Sequence, residues 1–185
     1  MLEVGAGQGE LAYDLTKLGY DVIAIDPNSD AEGVVRVARA DLDEPPRSFD
    51  AAVALVSLHH VEPLEASMRR LAEVVRPGAT LLIDEFDVAQ FDDRVATWLL
   101  ERRRELGTGD YFDPETAVAE LRAELHPLAT IEHALASEFA LGAPIRGGYL
   151  YRWGLDEGLR GAEEEAIGAG LIPAVGARLT GRRRR

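Results

Sequence analysis

Apolar and amphipathic segments alternate along the first half of the chain. Three nearly continuous apolar runs, residues 21–25, 49–56 and 78–86, are bounded by turn residues, a pattern typical of parallel strands covered on both faces. Amphipathic segments with apolar residues at helical spacing follow Gly9 and occupy residues 63–77. The alternation predicts an α/β fold built on a doubly wound, mostly parallel sheet.

The second half of the chain has a different pattern. Three more helices are expected in succession, so we predict a helical insertion over about residues 89–139, after the fifth strand. A strand at residues 147–153, a helix and a final strand then form a C-terminal strand-helix-strand unit over about residues 145–181. We expect a single domain over residues 1–185, because this length can bury one good core.

Composition and charge narrow the possible partners. The formal net charge of -13 argues against nonspecific binding to nucleic acid. The basic residues 181–185 are predicted to form a solvated, frayed tail. The absence of cysteine excludes disulfides, thiolate metal sites and a cysteine nucleophile. His126 and His133 lack a clustered acidic partner, so no metal site is expected. Because no apolar run has the length of a membrane span, we expect a cytoplasmic protein without a membrane partner.

Three glycines, Gly5, Gly7 and Gly9, stand within five positions directly after the first predicted strand. A strand that ends at Val4, a glycine turn and a following helix place backbone N–H groups at the carboxyl edge of the sheet, where open α/β folds bind ligands. The pyrophosphate-binding fingerprint spaces its last two glycines three residues apart, whereas here they are two apart and Glu10 follows. The spacing therefore suits a dinucleotide poorly.

Two acidic residues flank this turn. Glu3 lies just before the glycines, where a carboxylate would repel phosphate and attract an ammonium or sulfonium group. Asp26 ends the second predicted strand about 20 residues after Gly5, the place where an acid can accept both ribose hydroxyls. Together these residues favour a cationic adenosine ligand without phosphate.

The motifs resemble those of a known family. The segments LEVGAGQGELA, VIAIDP, ADLDEPPRSFDAAVALVSLHHVEP and LAEVVRPGATLLIDEF occur in the order found in class I S-adenosylmethionine-dependent methyltransferases, in particular their small-molecule branch, and cover about residues 1–87. The resemblance implies that residues 1–88 bind S-adenosylmethionine and that the partner is a small-molecule methyl acceptor. The implied cofactor-binding residues are Glu3, Gly5 and Gly7 at the methionine end, Gly9 in the same turn, Asp26 at the ribose, and Asp41 with the backbone of Leu42 at the adenine.

The reaction implied by this resemblance is an in-line displacement at the sulfonium methyl group. Most of its rate would come from aligning the acceptor and excluding water. A general base helps only where the acceptor loses a proton, and the candidates are His59, His60 and Glu85. Alternatively, the two histidines only shape the pocket, and Glu85 is a capping or solvated carboxylate.

Two other functions stay open at this point. One is a non-catalytic or degenerate module that binds S-adenosylmethionine, and the other is a nicotinamide-dependent oxidoreductase, which the position of Gly9 disfavours. Family members usually carry a helix ahead of the first strand, so either the start lies upstream of Met1 or this lid is absent. We expect an upstream extension to cover the glycine turn and to bind the cofactor about tenfold more tightly, or about 1.4 kcal/mol.

Overall fold

One mixed sheet organises the chain. The computed structural model describes residues 1–108, 112–153 and 157–185. Within these ranges the sheet has eight strands: β1 (Leu2–Val4), β2 (Ile23–Ile25), β3 (Val34–Val35), β4 (Phe49–Leu55), β5 (Val75–Phe86), β6 (Phe139–Leu141), β7 (Ile145–Gly147) and β8 (Gly176–Arg183). The strand order is β3-β2-β1-β4-β5-β8-β6, and β7 also pairs with β8. The α/β class predicted from the apolar runs is confirmed.

Six α-helices connect or cover these strands in the described part of the chain: α1 (Glu10–Lys17), α2 (Leu64–Val74), α3 (Asp93–Leu106), α4 (Pro114–Glu124), α5 (Leu128–Ala136) and α6 (Arg160–Gly168). The N-terminus of α3 is capped by Asp92, whose side chain accepts hydrogen bonds from the N–H groups of Arg94 and Val95, both at 3.1 Å. Asp113 caps α4 in the same way. No helix within the described ranges combines the length and apolar character that a membrane span needs.

The parallel half of the sheet sets the position of the candidate site. Strand β1 lies between β2 and β4 and runs parallel to both, with Val4 opposite Ile25 on one side and Ala54 on the other. The carboxyl ends of these three strands therefore meet at one edge, and the segments that follow them are brought together there.

The apolar residues form two clusters. One lies between the sheet, α2 and α5, and the other packs α3, α4 and α6 around the end of β5. The predicted helical segment after the fifth strand is confirmed as α3 to α5. Its last helix contributes Leu128, Ile131 and Leu135 to the cluster of the sheet, so α5 belongs to the layer that covers the sheet.

The strand predicted at residues 147–153 is wrong. Strand β7 ends at Gly147, and Leu150–Arg152 form a single 3-10 turn. The fully buried carboxylate of Glu163 accepts hydrogen bonds from the N–H groups of Tyr149, Leu150 and Tyr151, at 2.7, 2.9 and 3.1 Å. Because one carboxylate binds three successive N–H groups, these groups cannot pair with a neighbouring strand.

The frayed tail predicted for residues 181–185 is also wrong. Strand β8 continues to Arg183, and Gly181 pairs with both Leu81 and Leu141. The guanidinium of Arg183 donates to the carbonyl of Ala72 at 2.8 Å and contacts the carboxylate of Glu138 at 2.7 Å. These basic residues therefore join α2 to the β6 edge of the sheet.

Candidate functional site

A cleft of about 670 Å³ opens at the edge where β1, β2 and β4 end. The segments that follow these strands and the 3-10 turn Arg39–Asp41 form its walls. Its lining includes Gly5, Gly7, Asp26, Arg39, Ser57 and His60.

The glycine turn forms one wall of the cleft. Gly5, Gly7 and Gly9 all have positive φ angles, of 70°, 53° and 77°, which residues with a side chain rarely adopt. Gly5 donates from its N–H to the carbonyl of Ile25 at 2.8 Å, which ties the turn to the end of β2. A Cβ atom at Gly5 would lie only 2.1 Å from Cβ of Ser57. Glycine is therefore required there both for backbone conformation and for space.

Asp26 links the glycine turn to the segment after β2. Its Oδ2 atom accepts a hydrogen bond from the N–H of Gly7 at 3.0 Å, and its Oδ1 atom accepts one from Asn28 at 2.8 Å. A carboxylate offers about four lone-pair positions, so both oxygens can accept one more hydrogen bond each. The half-buried carboxylate thus holds the turn and still presents acceptors to the cleft.

The other predicted cofactor residues do not line the cleft. Glu3 is only 4% exposed; burial raises its pKa, and a hydrogen bond from the backbone of Ala12 opposes that rise. Asp41 is exposed on the 3-10 turn. Leu42 is buried, and its carbonyl accepts hydrogen bonds from Nε and Nη2 of Arg70 at 2.9 and 2.7 Å. The cleft therefore brings together Gly5, Gly7 and Asp26 of the predicted set.

Glu85, at the end of β5, is fully buried. Its Oε1 atom accepts hydrogen bonds from the N–H groups of Ser57 and Leu58 at 2.8 and 2.6 Å, and its Oε2 atom lies 2.5 Å from Nδ1 of His59. His59 itself is only 3% exposed. The carboxylate thus fixes the turn after β4 and the orientation of the His59 ring, and both side chains lie behind the cleft wall.

His60 is the base candidate that lines the cleft. Its ring centroid lies 4.3 Å from that of His59, and its side chain is exposed. Burial of part of the ring lowers its pKa below 6.5; His59 lowers it further, and the carboxylates of Glu85 and Glu124 oppose the shift. His60 is therefore neutral at pH 7 and able to accept a proton.

Arg39 is a cleft residue that the motifs do not identify. It is 6% exposed, and its Nε and Nη1 atoms have no hydrogen-bond partner among the described residues. Burial lowers its pKa to about 10, with the negative charge of Glu85 opposing the shift, so it stays charged at neutral pH. In the sequence, Arg39 resembles a solvated arginine two residues before Asp41. No periodic pattern marks it, because Arg39 begins a 3-10 turn and residues 36–38 ahead of it lie outside any strand.

Comparison with known protein families identifies the family of this chain. The family described as "Methyltransferase domain" matches residues 1–124, so the chain belongs to this methyltransferase family and the resemblance carried by the motifs is confirmed. The chain is 33% identical over 98 residues to an uncharacterized methyltransferase of Mycobacterium tuberculosis, which covers 46% of this chain and 50% of that protein. It is 26% identical over 96 residues to the ubiquinone biosynthesis O-methyltransferase of Bradyrhizobium sp., covering 45% and 38% respectively. The match thus spans half or less of the length of these relatives.

A solved structure agrees with the fold. The S-adenosylmethionine-dependent methyltransferase from Mesorhizobium loti superposes with a TM-score of 0.62 over 98% of this chain and 89% of that chain, at 17% identity. At this identity the similarity shows that the two chains share the Rossmann-like methyltransferase fold.

Proposed function

We propose that the protein is a methyltransferase that uses S-adenosylmethionine to methylate a small molecule. The observation that carries this proposal is the cleft at the ends of β1, β2 and β4, in which the glycine turn and the Asp26 carboxylate face one another. The family supports the cofactor. The small-molecule acceptor is supported by the name of the Bradyrhizobium relative, an O-methyltransferase of ubiquinone biosynthesis.

The residues present fit an S-adenosyl ligand. A volume of about 670 Å³ is within the range of sites for small molecules and cofactors. A Cβ atom built at Gly7 meets no atom within 4 Å, so the turn leaves open space at this position. Asp26 retains acceptor capacity for the two ribose hydroxyls. Glu3 near the methionine end, and Asp41 with Leu42 near the adenine, remain part of the proposal on the basis of the family motifs.

The bound cofactor would supply a methyl group activated by a sulfonium centre. The protein's part is to hold the acceptor in line with that group and to exclude water. For an acceptor that carries an O–H or N–H proton, neutral His60 is a cleft residue able to take the proton. Glu85 and His59 would act as positioning residues, because they fix the turn from which His60 projects.

Calorimetric titration with S-adenosylhomocysteine tests the cofactor site. We expect micromolar binding, about -7 to -8 kcal/mol. Asp26→Ala should weaken it by about 1.5–3 kcal/mol, the cost of losing hydrogen bonds to a charged group. Because Asp26 also holds Gly7 and Asn28, unfolding of the variant should be measured in parallel. Asp30→Ala is the control, since that exposed carboxylate pairs with Arg36 at the surface.

Four results would contradict parts of this proposal. No heat at millimolar S-adenosylhomocysteine would exclude the cofactor, and unchanged affinity in Asp26→Ala would exclude the ribose assignment. Binding of NADH with an affinity equal to that of S-adenosylhomocysteine would favour the oxidoreductase alternative. A folded protein that binds the cofactor but transfers no methyl group to any member of a metabolite panel would favour a binding module.

A further inference from the structure

Arg39 is a buried cation whose donors are not all used. A guanidinium carries five N–H groups, and those on Nε and Nη1 of Arg39 have no acceptor among the described residues. The side chain is more than nine-tenths buried and forms part of the cleft wall. Burying a charge without a hydrogen-bonded partner costs several kcal/mol, so a partner is expected.

The neighbouring carboxylate does not supply this partner. Glu85 is the acid whose charge acts on Arg39, but its two oxygens already accept hydrogen bonds from Ser57 and Leu58 and contact His59. Neither Nε nor Nη1 of Arg39 makes a hydrogen bond to Glu85.

A nearby arginine shows what a structural role looks like in this region. Arg70, on α2, donates from Nε and Nη2 to the carbonyl of Leu42, from Nη2 to that of Glu44, and from Nη1 to the carboxylate of Glu73. Each of its terminal nitrogens has an acceptor within the protein. Arg39 lies on the adjoining 3-10 turn and lines the cleft. Its unpaired Nε and Nη1 atoms are buried within the cleft wall, which leaves Nη2 as the guanidinium nitrogen that can meet a ligand.

Four N–H groups of the glycine turn are already engaged within the protein. The N–H groups of Gly5 and Ala6 donate to the carbonyl of Ile25, that of Gly7 donates to Asp26, and that of Gly9 donates to Ala6. Among the described residues that line the cleft, Arg39 is the only lysine or arginine. A negatively charged group that enters the cleft therefore finds its cationic donor at Arg39.

We propose that Arg39 binds a carboxylate of a ligand held in the cleft, through a charge-assisted hydrogen-bonded pair. The proposal rests on the function proposed above and adds that a ligand in the cleft carries a carboxylate group, which Arg39 recognises. Nη2 can donate a charge-assisted hydrogen bond to a carboxylate oxygen, and the opposite charge offsets part of the cost of burying the guanidinium. Two sources share this chemistry: the amino-acid end of the S-adenosyl ligand, and an acidic methyl acceptor.

Arg39→Met and Arg39→Lys test the proposal, with Arg36→Met as the control because Arg36 is an exposed arginine of the same segment. Each variant is titrated with S-adenosylhomocysteine and with 5′-methylthioadenosine, which lacks the amino-acid end. Benzoate and neutral benzamide are then titrated into protein saturated with S-adenosylhomocysteine. Thermal unfolding is measured without ligand.

If the carboxylate belongs to the cofactor, Arg39→Met weakens S-adenosylhomocysteine at least about tenfold and leaves 5′-methylthioadenosine unchanged. If it belongs to the acceptor, both adenosyl ligands bind as before, and benzoate binding, present in the parent protein, is lost in the variant. Arg39→Lys keeps the charge and should recover part of either affinity. In both cases the unfolding temperature without ligand stays the same or rises in Arg39→Met, because an unpaired buried charge has been removed.

Other outcomes overturn the proposal. A fall in unfolding temperature with unchanged ligand binding would make Arg39 a structural residue. Equal weakening of both adenosyl ligands would show that the amino-acid end is not what Arg39 recognises, and unchanged binding of every probe would exclude a carboxylate. If the parent protein binds neither adenosyl ligand, the proposed function fails and this proposal fails with it, whereas normal binding in both parent and variant rejects Arg39 alone.

Discussion

Gly5 is the position at which the glycine turn touches the end of β4, and replacing it tests the packing of the cleft wall. Alanine there must adopt a φ near 70°, which costs about 1–2 kcal/mol for a residue with a side chain. Its Cβ would also lie 2.1 Å from Cβ and 2.6 Å from Oγ of Ser57, and relieving such overpacking costs about 1–3 kcal/mol. We therefore expect Gly5→Ala to lose about 2–5 kcal/mol of unfolding free energy.

Gly7→Ala is the matched control. Its φ of 53° imposes a similar conformational cost, but a Cβ there meets no atom within 4 Å. Urea unfolding should therefore separate the two variants by about 1–3 kcal/mol, the steric part alone.

A second substitution isolates the clash. Ser57→Gly removes the Cβ atom and with it the hydrogen bond from Oγ to the carbonyl of Val4 at 3.0 Å. The nearest remaining atom of residue 57 is then Cα, 3.6 Å from the new side chain. In the double-mutant cycle, Gly5→Ala with Ser57→Gly should be more stable than the sum of the single changes by about 1–3 kcal/mol. Equal losses in Gly5→Ala and Gly7→Ala, or no coupling to Ser57, would refute this account of the turn.

Three further expectations concern buried charges, pH and the last strand. Glu85→Ala leaves the part-buried N–H of Ser57 and the buried N–H of Leu58 without an acceptor and should lose about 3–5 kcal/mol in urea unfolding. Glu85→Gln keeps one acceptor oxygen and should lose less, and equal losses would contradict this expectation. Because burial lowers the pKa of His60, the unfolded chain binds more protons near pH 6, so stability should fall as the pH drops from about 6.5 through the lower folded pKa. His60→Gln should remove this part of the slope in unfolding measured from pH 7 to 5, and an unchanged slope would assign it to other groups. Arg183→Ala should lower the unfolding free energy by about 2 kcal/mol. Arg182 makes one exposed hydrogen bond to Gly78, so the control Arg182→Ala should lower it by under about 0.5 kcal/mol. Similar values for the two variants would mean that the contacts of Arg183 contribute nothing.

The first half of the fold could be predicted because its signals are local. Buried parallel strands produce apolar runs, and helices that cover them produce apolar stripes, so β4, β5 and α2 are visible in the sequence itself. The segment at residues 147–153 has alternating aromatic residues that suit a strand equally well. Its conformation is decided by Glu163, whose approach depends on the tertiary fold.

The same distinction applies to the site. Gly5, Gly7 and Asp26 could be predicted to meet because strand order and turn position follow from the motif pattern. The pairing of Glu85 with His59 could not, since it joins the ends of two strands at a register that only the folded sheet defines. Arg39 could not be predicted from the sequence. A single buried arginine has the same charge as a solvated one, and nothing in its spacing to neighbouring residues marks it as buried.

Strand β8 has a consequence for how the chain acquires its structure during synthesis. It lies between β5 and β6 and pairs with both, with Ala177 opposite Glu85. About 90 residues separate these two positions in sequence, which takes about 5–20 s at a ribosomal rate of about 5–20 residues per second. During that interval β5 is an open strand edge, the kind of surface that promotes wrong pairing with other chains. Completion of the sheet is therefore a late event, and nascent chains stalled between α3 and α6 should be more prone to aggregate than the finished protein.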